Sequence, residues 1–171
     1  PNLLKRDFST TVPNQKWVTD VTEFSLFGEK LYLSPILDLY SSDLVSYVIS
    51  ERPALSMIMN MLDDAARRLP PGAAPILHSD QGWQYRLLKY QDKLKDNNII
   101  QSMSRKGNCL DNAIIENFFG VLKSELFYLK KYTSILELAR EIRQYIKYYN
   151  NERIRINLNG MSPVEYRAHL I

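Results

Sequence analysis

A chain of 171 residues, 45% hydrophobic and 24% charged, has the composition of one globular domain large enough to bury a continuous core. A net charge of +3 is too small to mark a nucleic-acid binder by itself, and no apolar run reaches the roughly 18 residues that span a bilayer. The lone cysteine, Cys109, leaves no internal disulfide and suits a reducing bacterial cytoplasm, and the polar, charged start does not read as a signal peptide.

Residues 1–15 carry prolines and polar side chains with little periodicity and read as an extended lead-in. The chain has no initiator Met, so it is expected to be a piece of a longer protein. Residues 17–26, 30–40 and 44–50 are rich in β-branched and aromatic side chains and read as three strands. Phe27-Gly28-Glu29 and Ser41-Ser42-Asp43 supply turns between them, giving an antiparallel meander. Asp20 and Thr22 share one face of the first strand. Aspartate is depleted in strands, so Asp20 is either a functional carboxylate or sits on a solvated edge. Asp38, in Leu37-Asp38-Leu39, is a further strand carboxylate that could support a site from behind.

Residues 54–69 have helical apolar spacing (Leu55, Ile58, Met59, Leu62, Ala66) and stop at Pro70-Pro71-Gly72, with the methionines serving as core filler. The apolar run 74–80 ends abruptly at Asp80 and a glycine-containing turn. Asp80 is either a carboxylate at a strand's C-terminal end or the cap of the basic, amphipathic helix expected over 84–96. His78 has no His/Cys cluster to join, which makes it a poor zinc ligand. Residues 99–103 read as a short strand. The following Ser104-Arg105-Lys106-Gly107-Asn108 is a basic loop, either simply solvated or placed to meet phosphates near a helix start.

The helix after that loop carries Ile115, Phe118, Phe119, Leu122 and Leu126 on one stripe, with Glu116 and Lys123 on its flank. These two are seven residues apart, nearly two turns, which would set one above the other. Either Asp111 or Asn108 could cap this helix. Cys109 has no histidine nearby in sequence and is not read as a nucleophile. Residues 134–150 form a long helix with apolar Ile135, Leu138, Ile142, Tyr145, Ile146 and Tyr149. Its cations, Arg140, Arg143 and Lys147, could face DNA, but the apolar stripe favours packing. Ser162-Pro163 reads as an N-cap with proline at the first helical position. A meander followed by alternating helix and strand predicts an α/β fold with a mixed five-stranded sheet flanked by helices.

Three carboxylates stand out: Asp20, Asp80 and Glu116, with 59 residues between the first two and 35 between the last two. The segments around them are Trp-Val-Thr-Asp, His-Ser-Asp-Gln-Gly, Ser-Met-Ser-Arg-Lys-Gly-Asn and Asp-Asn-Ala-x-x-Glu-x-Phe-Phe. This pattern resembles the Asp, Asp-35-Glu catalytic core shared by retroviral integrases and bacterial insertion-sequence transposases, in particular the two-reading-frame transposase branch. Lys123, seven residues after the Glu, matches too, as do Tyr149-Asn150-x-x-Arg153 and Met161-Ser162-Pro163-x-x-Tyr166-Arg167. Many relatives carry His two residues after that Arg; here the position is Arg155. The resemblance runs from about Leu4 to Arg167. It implies a ribonuclease H-like fold over 16–171, with 1–15 leading in from an upstream helix-turn-helix region that recognises the element's ends. It further implies DNA cleavage and strand transfer, with Lys123, Arg105, Lys106 and Asn117 as DNA contacts.

The chemistry suits these residue types. Three clustered carboxylates repel one another unless cations offset their charge, and hard oxygen ligands select Mg2+ or Mn2+. Two such ions about 3.5–4 Å apart can activate an attacking oxygen and stabilise the leaving oxygen of a phosphodiester. Asp20 is expected to bridge both ions, with Asp80 and Glu116 completing one site each. Water as attacker nicks a strand, and a DNA 3′-hydroxyl as attacker joins two. The alternatives are a ribonuclease H-like nuclease that cuts without joining, and a silent core kept for DNA binding or self-association. Strand transfer needs two DNA ends held together, so a homo-oligomer on DNA is expected.

Overall fold

The computed structural model describes residues 1–5, 7–105 and 112–169. Its elements run β1 (Lys16–Thr19), β2 (Thr22–Leu26), β3 (Glu29–Asp38), β4 (Leu44–Ser50), α1 (Leu55–Arg67), β5 (Ile76–Ser79), α2 (Leu88–Asp96), β6 (Ile100–Met103), α3 (Ala113–Leu122), α4 (Ile135–Asn151) and α5 (Pro163–Ala168). β3 pairs antiparallel with β4 on one edge and with both β1 and β2 on the other. Beyond β1 the sheet continues in parallel through β5 to β6.

The expected first strand is therefore two strands in one line. Thr19 lies opposite Ile36 and Thr22 opposite Leu33, so the register is continuous across the gap. The residue facing Asp20 in that register is Pro35, which has no N–H to give to a ladder. Thr19 Oγ1 instead bonds the Pro35 carbonyl at 2.8 Å. The sheet has the five predicted strand positions, with the central one interrupted at Asp20.

Helices cover both faces. On one, α3 and α4 bury Ile115, Phe118, Phe119, Leu122, Leu138 and Ile142 against Val18, Phe24, Leu33 and Leu37. On the other, α1 and α2 pack Ile58, Met61, Leu62 and Leu94 against Trp17, Ile36 and Leu77. Neighbouring Trp17 and Val18 thus face opposite layers, the period of two that a doubly covered strand requires. The buried stripe of α1 is Met57, Ile58, Met61, Leu62 and Ala65, rotated from the one predicted: the sheet chose the methionine side, and Ser34 Oγ bonds Met61 Sδ at 3.1 Å. The basic helix expected over 84–96 begins as a 3-10 turn, Trp83–Arg86, and breaks at extended Leu87 before α2.

The tail docks through the motif residues noted above. Tyr149 donates to the Ser42 carbonyl at 2.7 Å, the Asn150 amide brackets Leu44 of the edge strand at 2.8 and 3.1 Å, and Arg153 forks onto Glu125. α4 packs by its apolar stripe, as its spacing required, leaving Arg140, Arg143 and Lys147 exposed. At α5, Ser162 Oγ accepts from the Glu165 N–H and donates to the Glu165 carboxylate, with Pro163 in the first turn. Ser162→Ala is expected to cost about 1 kcal/mol, read as a lower urea midpoint at unchanged slope.

Asp38 does not support the Asp20 region. It is fully buried opposite Trp17, where Arg167 of α5 reaches it at 2.8 Å and Asp43 at 3.1 Å. Asn14 completes the cluster: its N–H donates to Asp38 and its side-chain oxygen accepts from Arg167 at 2.6 Å. Burial pushes the Asp43 carboxyl up against the pull of Arg167. These charges clamp the C-terminal helix and the lead-in onto the end of β3.

Candidate active site

Asp20 and Asp80 are brought side by side by strand pairing. β1 and β5 run parallel with Val18 opposite His78, and two residues on, both strands release an aspartate at their C-terminal ends. Ligands of open α/β sheets collect at that edge, because the strand ends leave polar backbone and loops there. Val18 faces the α3 layer, and Asp20 keeps its phase, so α3 can present Glu116 from its first turn. Asp20 and Glu116 are joined by a side-chain hydrogen bond. His78 is a packing residue: buried, it bonds Ser102 across the β5–β6 pair at 2.8 Å.

The electrostatics single out Asp20. Its carboxyl is raised to about 8, first by burial, then by the hydrogen bond to Glu116 and the charge of Asp80. Asp20 therefore holds its proton near neutral pH. A raised carboxyl binds its proton more tightly in the fold than in the open chain. The stability it confers is complete below about pH 4 and is lost as pH rises toward 8. The site pulls for positive charge, and its donors are hard oxygens, a set that fits Mg2+ or Mn2+.

Backbone contacts aim the aspartates. The Val21 N–H donates to Asp20 Oδ1 at 2.8 Å, and the Gly82 N–H donates to Asp80 Oδ1 at 2.7 Å. A Cβ on Gly82 would stand 3.0 Å from Asp80 Oδ1, so a side chain at this turn would push the carboxylate aside by a few tenths of an ångström. Among the described residues no three His, Cys, Asp or Glu side chains stand in metal-ligating geometry: Asp20 and Glu116 touch, and Asp80 acts on Asp20 through its charge.

Arg105 is exposed just past β6, where the Ser104 N–H meets the Ser79 carbonyl at 2.8 Å and Gln81 bonds the Ser104 carbonyl. Asn117 is exposed on α3. Lys123 caps α3 in helical conformation, seven residues on from Glu116. α3 ends at Leu122, the next turn is a wide π-type turn, and Lys123 donates to the Glu23 carbonyl at 3.1 Å while lying over the Phe24 ring. Lys106, Cys109 and the cap candidates Asn108 and Asp111 lie outside the described residues; the described N-cap of α3 is Asn112. Sequence reasoning missed Tyr85, a fully buried residue of the 3-10 turn. Burial raises its hydroxyl well above the usual tyrosine range, and Tyr90, Asp20 and Asp80 raise it further. The apolar spacing of 83–96 marks it only as core.

Comparison with known proteins agrees with this architecture. The Integrase core domain family matches residues 10–109, and a second Integrase core domain family matches 116–171. A putative transposase, InsK, for insertion sequence element IS150 of Escherichia coli (strain K12) is 58% identical over 98% of this chain and 59% of its own length. An uncharacterized transposase-like protein of Haemophilus influenzae is 52% identical over 98% of this chain and 77% of its own. A probable transposase for insertion sequence element IS1353 of Shigella flexneri is 42% identical over 98% of this chain and 33% of its own. This chain thus spans about three fifths of the first relative and one third of the last. Among solved structures, the HTLV-2 integrase catalytic core domain in complex with magnesium superposes with a TM-score of 0.72 at 18% identity, covering 91% of this chain and 97% of that one. A simian T-cell lymphotropic virus intasome chain reaches 0.80, also at 18% identity, over 91% of this chain and 55% of that one. With its sheet order, its acids at the parallel strand ends and relatives identical at most of its positions, the chain belongs to the integrase core domain family, among the insertion-sequence transposases.

Proposed function

We propose that this chain is the catalytic core of a DNA transposase, a polynucleotidyl transferase that cleaves a phosphodiester at an element end and joins the freed 3′-hydroxyl to target DNA. The observation that carries the reading is the Asp20–Glu116 hydrogen bond beside Asp80, which holds Asp20 about 8. A structural cluster of acids is normally relieved by a cation from the protein, whereas Asp20 is pushed up by its own burial, by Glu116 and by Asp80, with the Val21 N–H opposing them. Asp20, Asp80 and Glu116 would together hold two Mg2+ or Mn2+ ions. Such ions supply charge that makes the attacking oxygen a better nucleophile and the departing oxygen a better leaving group.

The protein's own part is positioning. Asp20, fixed by the Val21 N–H, stands between the other two carboxylates. Asp80 is aimed by the Gly82 turn. Because Asp20 holds its proton to about 8, a cation bound there would displace that proton, which would link metal binding to proton release. Arg105, exposed just past β6, would meet phosphates, and Asn117, exposed beside Glu116 on α3, would add a polar contact. Joining two ends requires more than one copy of the chain assembled on DNA.

Metal titration by calorimetry in two buffers of different ionisation heat tests the reading. At pH 7 Mn2+ is expected to displace up to one proton per chain, and Glu116→Gln to weaken binding by about 10- to 100-fold. Binding that leaves the buffer heat unchanged and is equal in the variant rejects the site. Gly82→Ala is expected to lower DNA cleavage by about 10- to 100-fold with little change in melting temperature, since its new Cβ displaces only the ends of the Asp80 and Gln84 side chains.

A further inference from the structure

A second feature opens on the same sheet edge. The residues that follow the two aspartates, Val21-Thr22 after Asp20 and Trp83-Gln84 after Asp80, form two walls of a pocket of about 220 Å³ whose floor is the first turns of α1, with Ala54 and Met57. Chain connectivity sets its distance from the candidate site: Val21 is bonded to Asp20. The indole of Trp83 is 52% exposed, whereas the protein's other tryptophan, Trp17, is fully buried. An exposed tryptophan beside an apolar recess is an unused stacking surface.

We propose that this pocket receives one unstacked nucleobase of the DNA strand whose phosphodiester lies at Asp20 and Asp80, with Trp83 as its stacking platform. The inference rests on the DNA-cleaving reading above and adds what that reading lacks, a contact to a base. The volume lies below the roughly 300 Å³ at which pockets for drug-sized ligands begin, so it holds a single ring system. The Thr22 hydroxyl and Gln84 amide lie in its wall and can bond a base edge, while Val21, Ala54 and Met57 offer apolar contact to the ring. Glu23 at the rim does not oppose a DNA strand with a bare charge, because Lys30 pairs with it at 2.7 Å. A duplex cannot enter a recess of this size. The base must leave its stack, which mismatched, frayed or single-stranded DNA does most readily. Stacking on an aromatic side chain tolerates any base, so the pocket selects for an accessible base more than for a sequence.

The test separates base from phosphate. The chain is titrated, in metal-free buffer, with a single-stranded oligothymidylate and with an abasic strand of equal length, which keeps every phosphate and no base. Expected are quenching of the exposed Trp83 emission by the base-bearing strand alone and about tenfold tighter binding of that strand, within the range measured for single base–aromatic contacts. Ala54→Phe, which fills the pocket floor, and Trp83→Leu are each expected to reduce oligothymidylate binding to the abasic level and to leave abasic binding unchanged. Melting curves confirm that each variant folds, and Thr22→Val serves as a milder wall change with a smaller loss. Equal affinity of the parent for the two strands, no binding of either, or a base preference that survives Ala54→Phe overturns the proposal. The metal titration reads the carboxylates without DNA, so its failure beside a surviving base preference would reject the catalytic reading alone.

Discussion

Asp20→Asn and Glu116→Gln are each expected to abolish Mg2+- or Mn2+-dependent cleavage of DNA, by at least about 10²- to 10³-fold, the scale on which a group that stabilises transition-state charge is lost. The same substitutions should not unfold the protein. Asp20 is held about 8 because burial and two neighbouring carboxylates disfavour its charge, so the ionised form works against the fold. Asn keeps a neutral, hydrogen-bonding side chain in that place. In metal-free solution the melting temperature of the parent is expected to fall as pH rises from about 4 to 8, because the folded state holds a proton there that the unfolded chain does not. Asp20→Asn should flatten that slope. Full cleavage activity in either variant would sink the assignment. A variant that loses activity together with its fold would show that the acids are structural. Stability gained as activity is lost is what a site built from like charges predicts.

The second large effect lies at the other end of β3. Arg167→Met is expected to destabilise the chain by about 3–5 kcal/mol, because it leaves Asp38 and Asp43 as adjacent carboxylates with their cation removed. Asp38 has no exposed surface from which water could compensate, and its remaining partners, the Asn14 and Tyr40 N–H groups, are neutral. The lead-in and α5 should loosen together, since Arg167 holds Asn14 as well as the two aspartates. Urea denaturation measures the loss, and hydrogen exchange locates it. Adding Asp38→Asn to Arg167→Met should recover part of the stability by removing one of the two stranded charges. An Arg167→Met protein as stable as the parent would show that the cluster contributes nothing net.

These two clusters mark how far the sequence could be read. Asp20 was legible because an aspartate in the middle of a strand-forming run conflicts with its own surroundings, and such conflicts concentrate where function overrides propensity. Asp38 carried the same local signal and belongs to a clamp that joins residues 129 positions apart in the chain. No local pattern distinguishes the two cases; only the partner that the fold delivers does. Lys123 shows the same limit on a helix. Spacing set it two turns on from Glu116, but only the fold shows that its ammonium meets the Glu23 carbonyl and the Phe24 ring of β2. Tyr149, Asn150 and Arg153 read as a motif and serve to fasten α4 to the edge strand and to Glu125.

By itself the sequence determined the broad kind and order of the elements, because periodicity and turn residues are local properties of a chain, and its resemblance to the integrase core nominated the three acids. The tertiary structure decided which carboxylates meet. Parallel pairing of β1 with β5 sets Asp20 beside Asp80, and the packing of α3 on that face brings Glu116 to Asp20. It also decided where the first strand breaks, opposite Pro35, and that a pocket opens beside Trp83. Those outcomes depend on residues far apart in sequence arriving at the same edge, and distance along the chain carries no information about charge, burial or proximity until the sheet has formed.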